Sequence, residues 1–155
     1  MGFPWTEQLT QSLTVAAAGI SPVSESAGTY LTSAVDLKKF RKVLFVLNVG
    51  VISSGGTLSA QVQAATTSGG TYSNVSGTSI TQLTQAGGNG NQTVLVEVSA
   101  DHLQNTMGNG YEFLKLQVVV GTAASLVNVT VLGAIGDHEP TSGNADASLL
   151  QTVVL

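Results

Sequence analysis

The longest apolar stretch of the chain is Arg41-Lys42-Val43-Leu44-Phe45-Val46-Leu47-Asn48-Val49-Gly50. It carries β-branched and aromatic residues and is apolar at both odd and even positions, which predicts a central strand covered on both faces. Strictly alternating segments surround it. In residues 57–65, Leu58, Ala60, Val62 and Ala64 oppose Ser59, Gln61 and Gln63. In 93–99, Val94, Val96 and Val98 oppose Leu95, Glu97 and Ser99. Leu114, Leu116, Val118 and Val120 share one face of 111–121, and Val127, Val129 and Val131 oppose Asn128 and Thr130 in 126–135. Period-two alternation means that one face of a strand is packed and the other solvated.

Turn chemistry separates these segments. Ser53-Ser54-Gly55-Gly56 is expected to join the central strand to 57–65 as a hairpin. Gly87-Gly88-Asn89-Gly90-Asn91 and Gly108-Asn109-Gly110 supply residues that reach positive φ cheaply. Shorter strands are expected at 29–35, 71–75 and 78–83, with one helical turn at 99–105 capped by Ser99 or Asp101. About eight short strands with turns between them predict an all-β fold, a single β-sandwich of jelly-roll or immunoglobulin-like topology. Pro4, Pro22 and Pro140 fall outside this strand region, as a hydrogen-bonded sheet requires.

The pattern divides the chain into an N-terminal arm (1–26), a sandwich body (27–140) and a C-terminal arm (141–155). Residues 1–26 read equally as an ordinary first strand. The C-terminal section ends in Leu149-Leu150-Gln151-Thr152-Val153-Val154-Leu155, an apolar, β-prone segment that would promote aggregation if left exposed. It must dock, either as a ninth strand of its own core or on a sheet edge or groove of a neighbouring subunit. Phe3, Trp5, Leu149, Leu150, Val153, Val154 and Leu155 are therefore candidate intersubunit contacts.

Charged residues make up 9% of the chain, against about 25% in an average protein. A surface made polar by hydroxyls and amides resists self-association poorly, which suits a protein built to assemble. The net charge of −4 argues against nucleic acid as a partner, because phosphates need cationic neutralisation. The absence of cysteine removes disulfides, thiolate metal sites and thiol nucleophiles. No stretch approaches the ~20 apolar residues of a membrane helix, and Met-Gly-Phe-Pro-Trp-Thr-Glu has no signal-peptide character. A protein without a membrane partner, not secreted by the general route, is expected.

Four of the five basic residues, Lys38, Lys39, Arg41 and Lys42, cluster at the entry to the central strand. They form either a solubilising corner or a patch that meets an acidic surface on a partner. Asp101-His102 and Asp137-His138-Glu139 are the places where a histidine meets carboxylates, but neighbours on an extended chain point to opposite faces and do not converge on a metal. Gly69-Gly70 and Gly87-Gly88-Asn89-Gly90 lack the Lys-Ser/Thr of a phosphate loop. No catalytic, cofactor or metal residues are assigned, and a non-enzymatic protein is expected.

The order of segments resembles a known class. The basic entry into Val43-Leu44-Phe45-Val46-Leu47-Asn48-Val49-Gly50 is followed by Gly56-Thr57-Leu58, Gly69-Gly70-Thr71-Tyr72-Ser73 and Val94-Leu95-Val96-Glu97-Val98. Tyr111-Glu112-Phe113-Leu114-Lys115-Leu116-Gln117-Val118 and Val131-Leu132-Gly133-Ala134 complete the series. Over residues 27–140 this resembles the small β-rich head decoration (cement) proteins of tailed bacteriophages. The resemblance implies a virion structural protein, made in the host cytoplasm. It would bind the major capsid protein on the outer capsid surface and bridge capsomers, self-associating as a homotrimer and needing no cofactor. A carbohydrate-binding β-sandwich and a tail or fibre subunit are the alternatives.

Overall fold

A computed structural model describes residues 9–136, 145–149 and 151. After a short helical turn, α1 (Leu9–Ser12), come β1 (Leu13–Glu25), β2 (Gly28–Leu31), β3 (Val35–Asp36), β4 (Phe40–Ile52) and β5 (Thr57–Ala65). The two-residue strands β6 (Ser73–Asn74) and β7 (Leu83–Thr84) lead to β8 (Gln92–Ser99), α2 (Ala100–Met107), β9 (Phe113–Gly121) and β10 (Ser125–Gly136).

The strands form two antiparallel sheets. The first has the order β1-β10-β4-β8; the second has the order β2-β9-β5-β6, with β3 also on β9 and β7 also on β5. The strands pair from the outside in: β1 with β10, β2 with β9, β4 with β8, and β5 with β6. That nesting, with the chain passing repeatedly between sheets, is a rolled hairpin, the jelly-roll form of the β-sandwich. It decides between the two topologies that the strand pattern left open.

Inward residues of both sheets make one core. Val43, Phe45, Leu47 and Val49 of β4, Val96 and Val98 of β8, and Val127, Val129 and Val131 of β10 face Leu58, Ala60, Val62 and Ala64 of β5 and Leu114, Leu116, Val118 and Val120 of β9; all are buried. These are the apolar positions of the alternating segments, and burial on one face is what holds their register. Gly133 lets Phe40 lie flat on β10, since a Cβ there would overlap the Phe40 ring.

Four expectations need correction. First, β4 is covered on one face only. Leu44 and Val46 are half-buried and Asn48 is exposed, because β4 lies inside a two-sheet sandwich whose outer faces carry no third layer among the described residues. Second, residues 53–56 do not close a hairpin. β4 pairs with β10 and β8 in one sheet and β5 with β9, β6 and β7 in the other, so the turn carries the chain across the core. Third, much of the supposed N-terminal arm is strand: β1 pairs with β10 from Leu13↔Ala134 to Glu25↔Ser125, and the sandwich begins there rather than at residue 27. Pro22 therefore sits inside a strand, on the sheet edge where a missing N–H is tolerated. Fourth, 71–75 and 78–83 contain only fragments of strand. Asn74 pairs with Gln63, the N–H groups of Val75 and Ile80 donate to Val62 and Ala60 carbonyls at 2.9 and 3.0 Å, and Leu83 pairs with Leu58. The buried Thr78 hydroxyl accepts from the Val62 N–H at 3.2 Å and donates to the Val75 carbonyl at 2.8 Å, so a side chain replaces the ladder where it breaks.

Candidate interaction surfaces

The outer face of the first sheet can be read as rows of directly opposed residues, since opposed side chains share a face. One row is Val15–Leu132–Leu44–Glu97 across β1, β10, β4 and β8. The next is Thr130–Val46–Leu95 across β10, β4 and β8, and the third is Asn128–Asn48–Thr93. Leu95 is 62% exposed although it stands between half-buried Val46 and open solvent. Leu44, Val46, Leu95, Leu132 and Val15 thus make an apolar patch on the outside of the sandwich.

The patch has polar borders. On one side the Thr93 hydroxyl donates to Asn48 Oδ1 at 2.8 Å, the Asn48 amide donates to Asn128 Oδ1 at 3.2 Å, and the Asn128 amide donates to the Ile20 carbonyl at 2.8 Å. This chain of side-chain hydrogen bonds crosses all four strands and fixes the rotamers of three polar residues. On the other side Lys42 Nζ lies 3.4 Å from Glu97 Oε1. That pair is half-exposed, a geometry worth about 0–1 kcal/mol.

The edges of this sheet differ. At the β1 edge the Val15 carbonyl accepts from the Asp146 N–H at 2.8 Å and the Ala18 carbonyl from the Ser33 N–H at 2.9 Å. The β8 edge is regular over eight residues and, among the described residues, has no backbone partner beyond β4. Beside it runs a groove of about 560 Å³, lined by Val94, Leu95, Val96 and Glu97 of β8, by loop residues 77–81, by Leu83 of β7 and by His102. This edge escaped sequence reasoning, because whether a strand lies inside a sheet or at its margin depends on pairing. A signal was present in Leu95, an apolar residue on the polar side of an alternating segment.

Within the basic cluster, Lys38 and Lys42 are ion-paired. Lys38 pairs with Glu112 at 2.8 Å, and its pKa is raised by the hydrogen bond to that carboxylate and by its charge. Lys42 is held by Glu97, and Arg41 is exposed. The charge of Lys39 acts on Asp146, so the structure brings the basic corner close to the start of the C-terminal section. The Asp146 carboxyl is held below its ordinary value, first by the Ser148 hydroxyl, then by the Ser148 backbone N–H at 2.9 Å, with a smaller contribution from Lys39. Leu149 is half-buried, its N–H donating to the Asp146 carbonyl at 3.0 Å. Phe3, Trp5, Leu150, Val153, Val154 and Leu155 lie outside the described residues, as do Asp137, His138 and Glu139.

Other chemistry is sparse. Ser99, one of the two caps considered, caps α2 by accepting from the His102 N–H at 3.1 Å, and the His102 ring lies 3.4 Å from the Thr106 hydroxyl. Among the described residues, no three His, Asp or Glu side chains are grouped so that they could hold a metal ion. The described tyrosines are all engaged. Lys115 Nζ stands 4.3 Å over the Tyr72 ring, the Tyr30 hydroxyl donates to the Ser26 carbonyl, and Tyr111 packs on the core.

No family model matches the chain, and a search of curated proteins finds no match. Among solved structures, it is similar to a chain of "Structure of infectious bursal disease virus Gt strain", with 13% identity and a TM-score of 0.40. The likeness covers 84% of this chain and 34% of that one, so this protein spans about a third of its length.

Proposed function

We propose that this protein is a non-enzymatic structural component of a virion, a head decoration protein. In this reading it binds the major capsid protein on the outer surface, bridges capsomers and self-associates as a homotrimer. The observation that carries the reading is the outer side of the first sheet, where an apolar patch runs into a strand edge that is unpaired among the described residues, in a protein with few charges. Such a surface is made for contact with protein: an added neighbour buries Leu44, Val46 and Leu95 and satisfies the β8 backbone. The segment-by-segment resemblance to cement proteins supplies the particular class. A shell fails at the joints between its subunits, and a multivalent clamp across those joints raises the barrier to separation through linked contacts. Engagement of all three described tyrosines disfavours the carbohydrate-binding alternative, which needs an open aromatic platform.

The test is to mix purified protein with expanded phage heads lacking their decoration layer, then sediment and image them. Saturable binding at capsomer junctions, with greater resistance of the heads to heat, is the expected result. Heads that sediment bare at saturating protein would overturn the proposal, and density on the tail would select the tail-subunit alternative.

A further inference from the structure

We infer that the free edge of β8 receives an added strand from a second copy of this chain, and that the strand is residues 149–155. The inference rests on the self-association in the reading above but not on capsid binding.

Three observations support it. β8 is Gln92-Thr93-Val94-Leu95-Val96-Glu97-Val98-Ser99, a regular edge with a single charge in eight residues and no proline or bulge. Soluble proteins protect such an edge, and among the described residues this one has only the groove beside it. A strand laid there would gain backbone hydrogen bonds along β8 and set alternate side chains against Leu95 on one face and the groove on the other.

The occupant follows from composition. Residues 149–155 are uncharged along their side chains, apolar at five of seven positions and β-branched at Thr152, Val153 and Val154. They suit a strand that must cover valines without facing Glu97 with a like charge.

Placement argues for a second copy. The turn just before this segment is tied to the β1 edge by the Asp146 N–H on the Val15 carbonyl and holds Leu149 through the Asp146 carbonyl, and Val15 shares its row with Glu97 three strands away. Three inter-strand spacings amount to about 14 Å, which consumes roughly four extended residues. Residues 150–155 cannot both cross the sheet and lie along β8 of the same molecule. A segment leaving one edge and filling the opposite edge of a neighbour makes a head-to-tail contact, which closes into a ring when the rotation allows.

The chain has no cysteine, so engineered pairs report unambiguously. Two differently tagged single variants are mixed under mild oxidation, one with Leu95→Cys and the other with Val153→Cys or, to sample the adjacent register, Val154→Cys. The expected product is a disulfide between the two tags, lost when an excess of peptide 147–155 is present. Deleting residues 150–155 should convert the oligomer to monomer in analytical ultracentrifugation with an unchanged circular dichroism spectrum. A disulfide formed only within one chain of the double variant at high dilution would show fold-back and overturn the inference. So would an oligomer that survives the deletion. Because both readouts use isolated protein, failure here is separable from failure to bind heads.

Discussion

β4 has two faces with different fates. Inward, Val43, Phe45, Leu47 and Val49 are buried against the second sheet. Outward, Leu44 and Val46 are only half-covered, and Asn48 is held by a chain of side-chain hydrogen bonds. The inner face accounts for stability through area removed from water. The outer face keeps apolar side chains at the surface and pins its polar ones in fixed rotamers, an expense that serves contact with another molecule rather than folding. Apolar character along a strand therefore does not by itself mean core.

The contrast is open to direct attack. Phe45→Ala should cost about 3–5 kcal/mol in urea unfolding, while Val46→Ala on the neighbouring position should cost about 1 kcal/mol or less. Comparable losses at the two sites would erase the distinction between faces. Asn48→Ala severs its links to Thr93 and Asn128 and should cost about 1 kcal/mol. Its amide signals in NMR, slow to exchange in the parent, would confirm the ordering it provides. On the covered side, Ser125 places a fully buried hydroxyl with no hydrogen-bond partner among the described residues. Ser125→Ala should raise the midpoint of unfolding by up to about 1 kcal/mol equivalent, because it removes an unsatisfied polar group.

The smallest effect concerns the segment beside β1. The folded-state pKa of Asp146 is depressed, so its contribution is complete above the ordinary carboxylate value and is lost as the pH falls through the lowered one. Amide exchange at Asp146, Ser148 and Leu149 should accelerate in that acid window while the β4 amides stay protected. Simultaneous acceleration of both would mean that the segment does not detach independently.

Much of this architecture was legible. The inward residues of β5, β8, β9 and β10 follow from alternation, and the Ser99 cap from a local pattern, because each depends on near neighbours in the chain. What sequence could not supply was pairing at long range. The turn at 53–56 looks like a hairpin loop whether the chain doubles back or crosses to the other sheet. Residues 13–25, broken by register shifts and Pro22, lack a clean strand signature although they pair with β10 throughout. The basic cluster was visible as a group of residues, yet its ion-pair partners Glu112, just before β9, and Glu97, on β8, are remote in the chain. The β8 edge was hidden for the same reason.

The pairing of Leu13 with Ala134 also has a temporal side. As the chain leaves the ribosome, β1 must wait for its partner until β10, up to about Ala134, has been synthesised. The first sheet then closes through loops that span most of the molecule, at high entropic cost and correspondingly slowly. During that interval the valine-rich strands are exposed to solvent. Synthesis rate and chaperone supply, rather than final stability, should set the yield of this protein in the cell.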